Sequence, residues 1–146
     1  MQVTNSAFTD AQQTNESDRS AQIYSDLDLL FTRKDTKDVN ILKDIAAVKR
    51  SVRNLILMNH YEKPFHPEIG SGIREMLFEN IDPITADVLS AKVSEVISTY
   101  EPRADLQSVV AIPNLDSNSY KLKIQFTVIN IPLDLQEVEV FLERLR

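Results

Sequence analysis

At 146 residues with 42% hydrophobic content, the chain is long enough to bury the core of one ordinary domain. A net charge of −6 without any Lys/Arg-rich run argues against nucleic-acid backbones as the main partner, and only two glycines exclude a glycine-rich phosphate loop. The lack of cysteine excludes a disulfide framework and a thiolate zinc site, and no apolar run approaches the roughly 20 residues that cross a bilayer.

Met1 to Ser20 is rich in Ser, Thr, Asn and Gln and nearly devoid of large apolar side chains. Such a segment buries too little surface to offset its ordering entropy. Residues 1–20 are therefore expected to be a polar extension, flexible when free, with a single folded domain over 21–146. The extension either orders against a partner or has no function. The first residues also lack the basic and apolar regions of a signal peptide, so synthesis in the cytoplasm is expected.

Leu27 to Thr32 is a short apolar run that predicts a strand, and Arg33 to Lys37 a charged turn. Asp38 can then cap a long helix from Val39 to Met58, with Ile41, Ile45, Val48, Val52 and Leu55 on its apolar stripe. Tyr61 to Gly72 holds two prolines and both glycines and predicts a shaped loop, with Phe65 and Ile69 as apolar pegs. Ser71 is placed to cap a short helix carrying Ile73, Met76, Leu77 and Phe78. Asp82 followed by Pro83 is a helix start signal. From there Ile84, Val88, Leu89, Val93, Val96, Ile97 and Tyr100 form a second stripe.

That helix must stop at Tyr100-Glu101-Pro102-Arg103, because proline cannot continue the backbone ladder and pushes its predecessor out of the α region. One acid and one base on a fixed corner can clamp a partner or brace two elements of their own fold. Beyond the corner the period changes to two. Leu106, Ser108, Val110 and Ile112 alternate with Gln107, Val109 and Ala111, and Asn114 to Ser119 is a turn cluster. Tyr120, Leu122, Ile124, Phe126 and Val128 then give the clearest strand in the chain. The last segment reads as a helix capped by Asp134 and Glu137, or as a strand through Val138, Val140 and Leu142; its Val-Glu-Val-Phe content favours the strand. The fold class is α+β: two long amphipathic helices and a short one packed on a small antiparallel sheet. That sheet is a C-terminal three-stranded meander, with a possible extra N-terminal strand. Its last strand would leave an exposed edge.

Little in the chain points to catalysis. His60 and His66, with Glu62 and Glu68 nearby, match no helical ligand spacing, so no metal and no cofactor are expected. Gly70-Ser71-Gly72 is a turn into a helix, not a nucleophile elbow. Among 22 acidic residues pairs are easily found, but Glu75 and Glu79 look like a solvated helix face. Glu101 beside Arg103 would have a lowered pKa, the wrong direction for a general acid. No catalytic residue is assigned.

Several motifs occur in order over more than half the chain. Lys63-Pro64-Phe65-His66-Pro67-Glu68-Ile69-Gly70, Leu77-Phe78-Glu79-Asn80 with Pro83 and Thr85-Ala86, and Glu101-Pro102-Arg103 are followed by Phe126-Thr127-Val128-Ile129-Asn130 and Val140-Phe141-Leu142-Glu143-Arg144-Leu145-Arg146. Tyr24-Ser25-Asp26-Leu27-Asp28 looks like the matching opening. Together they resemble the baseplate wedge subunit, or sheath-initiator, family of contractile phage tails, which carries a lysozyme-like label and has a relative in the type VI secretion baseplate. The resemblance implies a structural virion protein of the tail baseplate, in several copies per sixfold assembly, and not an enzyme. It implies that Glu101, Pro102 and Arg103 bind the helical core bundle of other wedge proteins. It also implies a sheet offered to tail sheath subunits. Val138, Val140, Leu142 and Arg144 are the residues expected at that sheath-facing edge. A muramidase of the tail is the alternative reading.

Overall fold

Asp82 and Pro83 start the longest helix as their order in the chain predicts. Asp82 is extended, its carboxylate accepts from the Thr85 amide at 2.7 Å, and Pro83 occupies the first helical position. The computed structural model describes residues 23–31, 39–131 and 135–144. They fall into two compact units divided after Asp44.

The first unit is a small antiparallel pair, β1 (Ser25–Leu27) with β2 (Ile41–Lys43), in the register Ser25 to Lys43 and Leu27 to Ile41. It corrects two expectations. The strand expected over 27–32 keeps only Leu27, because Asp28 is buried and folds the chain back: its carboxylate accepts from the Leu30 amide and its carbonyl from that of Phe31. The helix expected from Val39 starts instead at Asp44, because Ile41–Lys43 is taken by pairing with β1. Asp44 then turns the chain with φ 48°, its Oδ1 accepting from the Ile23 and Tyr24 amides at 2.9 and 3.2 Å. The expected turn at 33–37 and the Asp38 cap lie outside the described residues.

α1 (Asp44–Leu57) begins at the division and belongs from Ile45 onward to the second unit, where it buries Ala47, Val48, Val52, Leu55 and Ile56. The short α2 (Ile73–Met76) is preceded by Gly72 in the left-handed region at φ 59°. Ser71 does not cap it from the cap position; its hydroxyl donates to the Ile56 carbonyl at 2.6 Å and accepts from the Ile73 amide at 3.3 Å, tying α2 to the end of α1. In the loop before it, Ile69 is half-buried but Phe65 is 98% exposed, so Phe65 is no peg. α3 (Pro83–Tyr100) buries Thr85, Ala86, Leu89, Val93, Val96 and Ile97 and lies along the sheet's first strand; Ile84 and Val88 fall on its exposed flank.

The sheet has the order β3 (Ala104–Asn114), β4 (Ser119–Val128), β5 (Gln136–Glu143), antiparallel throughout. β4 alternates without a fault, burying Tyr120, Leu122, Ile124, Phe126 and Val128, and β5 adds Val138, Val140 and Leu142. The strand reading of the C-terminal segment is therefore the one the chain adopts. β3 departs from its expected alternation. A bulge between Leu106 and Ser108 advances the pairing by one residue, so Val109 and Ala111 turn inward while Val110 and Ile112 stay exposed. The α+β class holds, with the meander at the C-terminal end and the extra N-terminal strand paired with β2 in a separate two-stranded sheet.

Candidate functional site: the elbow and the sheet border

Glu101 is the last residue of α3's backbone ladder, its amide donating to the Ile97 carbonyl at 2.9 Å. Pro102 ends the helix. The Ala104 amide then returns to the Glu101 carbonyl at 3.1 Å, and the Arg103 carbonyl accepts from Ile129 at 2.9 Å, so the corner is fixed at both ends. Across it the side chains meet. Arg103 Nε donates to Glu101 Oε1 at 2.6 Å and Arg103 Nη2 to Oε2 at 3.0 Å, a two-pronged ion pair. Ser51 of α1, fifty residues earlier, donates its hydroxyl to the same Oε2.

Glu101 is only 3% exposed, whereas Pro102 is exposed and Arg103 half-buried. Burial pushes the Glu101 carboxyl upward; the hydrogen bonds from Arg103 and Ser51 and the guanidinium charge outweigh it, and the net displacement is downward. Within the chain, then, the acid and base bond each other. Sequence reasoning missed Ser51, whose only signal is a small hydroxyl within α1.

The second feature is the asymmetry between the two borders of the sheet. The Arg144 amide donates to the Asn118 carbonyl at 2.9 Å, extending the β4–β5 pairing by one step. Backbone groups alternate along a strand. The even-numbered residues Val138, Val140 and Leu142 therefore turn their backbone groups to β4, and Glu137, Glu139, Phe141 and Glu143 turn theirs outward. Among the described residues no strand pairs with that border. The border on β3 is blunted. By the same alternation Val109, Ala111 and Pro113 face away from β4; the Ala111 amide is held by Ser90 of α3 at 2.9 Å, and Pro113 has no amide to offer.

The residues expected at the sheath-facing edge lie on this last strand and, for Arg144, just beyond it. The side chains of Val138, Val140 and Leu142 are in the core, because their face of β5 continues the apolar face of β4. Arg144 is exposed at the end, its Nη2 3.4 Å from Asn80 Oδ1. The border consists of the residues between them. Their acidic side chains are also less bare than the composition suggests. Lys121 pairs with Glu139 at 2.7 Å, and Lys123 lies 3.7 and 3.9 Å from Glu139 and Glu137. Lys121's hydrogen bond and charge hold the Glu139 carboxyl below its usual value. Phe141 projects from the same face, 66% exposed, with Lys121 Nζ 5.4 Å from its ring centre. No group of three or more His or acidic residues fit to hold a metal occurs among the described residues.

Comparison with known proteins assigns these features to a lineage. The family model of baseplate wedge protein gp25 matches residues 43–132, which include the elbow and run from the end of β2 past β4. The baseplate wedge protein gp25 of Enterobacteria phage T4 is 32% identical over 119 residues, spanning 82% of this chain and 90% of the phage protein. The chain belongs to the baseplate wedge protein gp25 family. It is a phage-tail baseplate protein, as the order of its motifs suggests.

Solved structures with the gp25-like fold include a Geobacter sulfurreducens protein described as a tail lysozyme, with TM-score 0.62 and 22% identity over 68% of this chain and 89% of that one. A chain of the anti-feeding prophage baseplate gives 0.58 and 19%, over 84% and 87%. A chain of the postcontracted pyocin R2 baseplate gives 0.51 and 20%, over 81% and 98%. At these identities the likeness is one of fold.

Proposed function

We propose that this gp25-family chain is a structural wedge component, present in several copies in a sixfold baseplate, with an anchoring end and a recruiting end. The anchor is the elbow. Glu101 holds Arg103 in one orientation, and exposed Pro102 and the open side of Arg103 meet the helical core of neighbouring wedge proteins. Glu101 is then a positioning residue. The recruiting end is the outer border of β5, where the backbone groups of Glu137, Glu139, Phe141 and Glu143 accept a strand from the first ring of sheath subunits. Main-chain bonds supply the affinity, and the docked strand presents a new border of the same kind.

The asymmetry of the sheet carries this reading. One border is closed by Ser90 and Pro113, while the other pairs with no strand among the described residues. A protein that merely avoided edge-to-edge aggregation would blunt both. An enzymatic reading gains no support from the elbow. A general acid for sugar cleavage needs a raised pKa, and Glu101 is displaced the other way with both oxygens engaged. The shared fold with a protein described as a lysozyme carries no chemistry by itself.

Tails assembled without this chain and viewed by electron microscopy should show tubes without extended sheath, and supplying the protein should restore it. Fully sheathed tails in its absence would reject the recruiting role. Digestion of purified cell wall by the protein, lost on changing a single Glu, would reject the structural one.

A further inference from the structure

Gly72 marks a second place where charged groups converge. A methyl group built on its α-carbon would lie 3.1 Å from both His60 Nε2 and Lys92 Nζ, so the ring and the ammonium both approach a backbone without a side chain. They open into a cavity of about 230 Å³ between the end of α1, the loop and α3, also lined by Ser71, Glu95 and Tyr100. Two of the three hydroxyls there are already committed: Ser71 donates to Ile56 and Tyr100 to the Glu68 carbonyl at 3.2 Å, while Thr99 lies at the exposed rim. Among the described residues the side chains of Lys92 and His60 have neither hydrogen-bond nor ion-pair partners. Two nitrogen-bearing side chains, both half-buried, thus line one hollow without a bonded acceptor, and Glu95 stands on the same wall.

We propose that this cavity is a carboxylate-binding site in which Lys92 and His60 grip an Asp or Glu side chain of a neighbouring baseplate protein. Lys92 supplies the charge and His60 a directed N–H, in the tautomer that carries its proton on Nε2. A carboxylate fits better than a phosphate, because Glu95 at the same wall lowers the positive potential and would repel a dianion. The cavity opens to solvent, so the acid can arrive on a side chain. The inference rests on the baseplate reading and adds a third contact, separate from both the elbow and the β5 border.

Carbodiimide coupling of assembled tails tests it, since the reagent joins an amine to a carboxylate in contact without adding a spacer. After digestion and mass spectrometry, Lys92 should be found joined to an Asp or Glu peptide from another baseplate protein. Lys92→Gln should keep the unfolding midpoint of the free protein yet lower incorporation into tails about tenfold, as expected for losing one partner of a charged contact. If the protein is present in tails but Lys92 couples only within its own chain, the inference fails while the baseplate reading stands. Absence of the protein from purified tails would overturn the baseplate reading itself. A titration of the free protein with acetate, followed by amide NMR, separates the sources. Saturation at low millimolar acetate without any interprotein coupling would make the ligand a free anion and reject the side-chain partner.

Discussion

Arg103 grips Glu101 across the proline that separates them, Nε to Oε1 at 2.6 Å and Nη2 to Oε2 at 3.0 Å. Pro102 makes this possible. In a continuing helix residues two apart point to opposite sides, whereas the turn brings both side chains to the same side of the corner. The pair also reaches Ser51, so α1, α3 and β3 are pinned at one point.

Removing the charge from this knot should therefore be felt in the fold before it is felt in assembly. Glu101→Gln leaves a half-buried guanidinium without its counter-charge and is expected to cost about 2–3 kcal/mol in urea unfolding. Arg103→Lys keeps a cation but loses the fork and should cost about 1 kcal/mol. If Arg103 also meets the wedge core, the lysine variant will assemble worse than its small loss of stability predicts. Equal stability of Glu101→Gln and the native chain would show that the ion pair does not brace the corner.

The same pair sets a sign for pH dependence. The Glu101 carboxyl is displaced downward in the folded chain, so the folded state binds its proton less readily than the unfolded one. Its stabilisation is fully present above the unfolded value of about 4.3 and disappears as pH falls through the lower folded value. Comparing unfolding curves from neutral pH downward, the native chain should lose stability more steeply than Glu101→Gln over that acid window. The two should run parallel at higher pH. Parallel curves throughout would mean that another carboxylate governs acid unfolding.

Parts of this architecture were legible in the residue order because they depend on neighbours in the chain. Asp82-Pro83 starts α3 through a bond to Thr85, three residues away, and β4 needs only its own alternation to show which face is buried. Other parts depend on distant partners. The segment 41–43 has helical spacing but is captured by β1, about sixteen residues upstream. One bulge at Gln107 reverses the faces of Val109, Val110, Ala111 and Ile112, and no turn residue announces it. At the candidate site, Glu101 and Arg103 could be named from the helix stop, but Ser51 could not. The outward residues of β5 follow only from the bond between Arg144 and Asn118, which fixes which of two alternating sets faces β4.

The two glycines should respond differently to the same substitution. A methyl group on Gly70 would sit 2.6 Å from both Asn59 C and His60 N, backbone atoms that cannot step aside. Gly70→Ala should cost about 2–3 kcal/mol by overpacking. At Gly72 the neighbours are the ends of flexible side chains at 3.1 Å, and the penalty is the left-handed backbone at φ 59°, about 1 kcal/mol. Thermal unfolding should rank Gly70→Ala below Gly72→Ala, and the reverse order would place the close approach elsewhere.

The β5 border can be tested without disturbing the core. Phe141 points its side chain to solvent and its amide away from β4, so Phe141→Pro removes one outward donor and no ladder bond. Its cost to the free protein should stay near 1 kcal/mol, whereas Val140→Pro breaks the ladder inside the core and should cost about 3 kcal/mol or more. Phe141→Ala deletes the same ring but keeps the amide. If sheath subunits add a strand here, Phe141→Pro protein should enter baseplates and fail to seed sheath, while Phe141→Ala should still seed it. Seeding by both variants would mean that sheath does not pair with this border. Failure of both would assign the contact to the ring and not to the backbone.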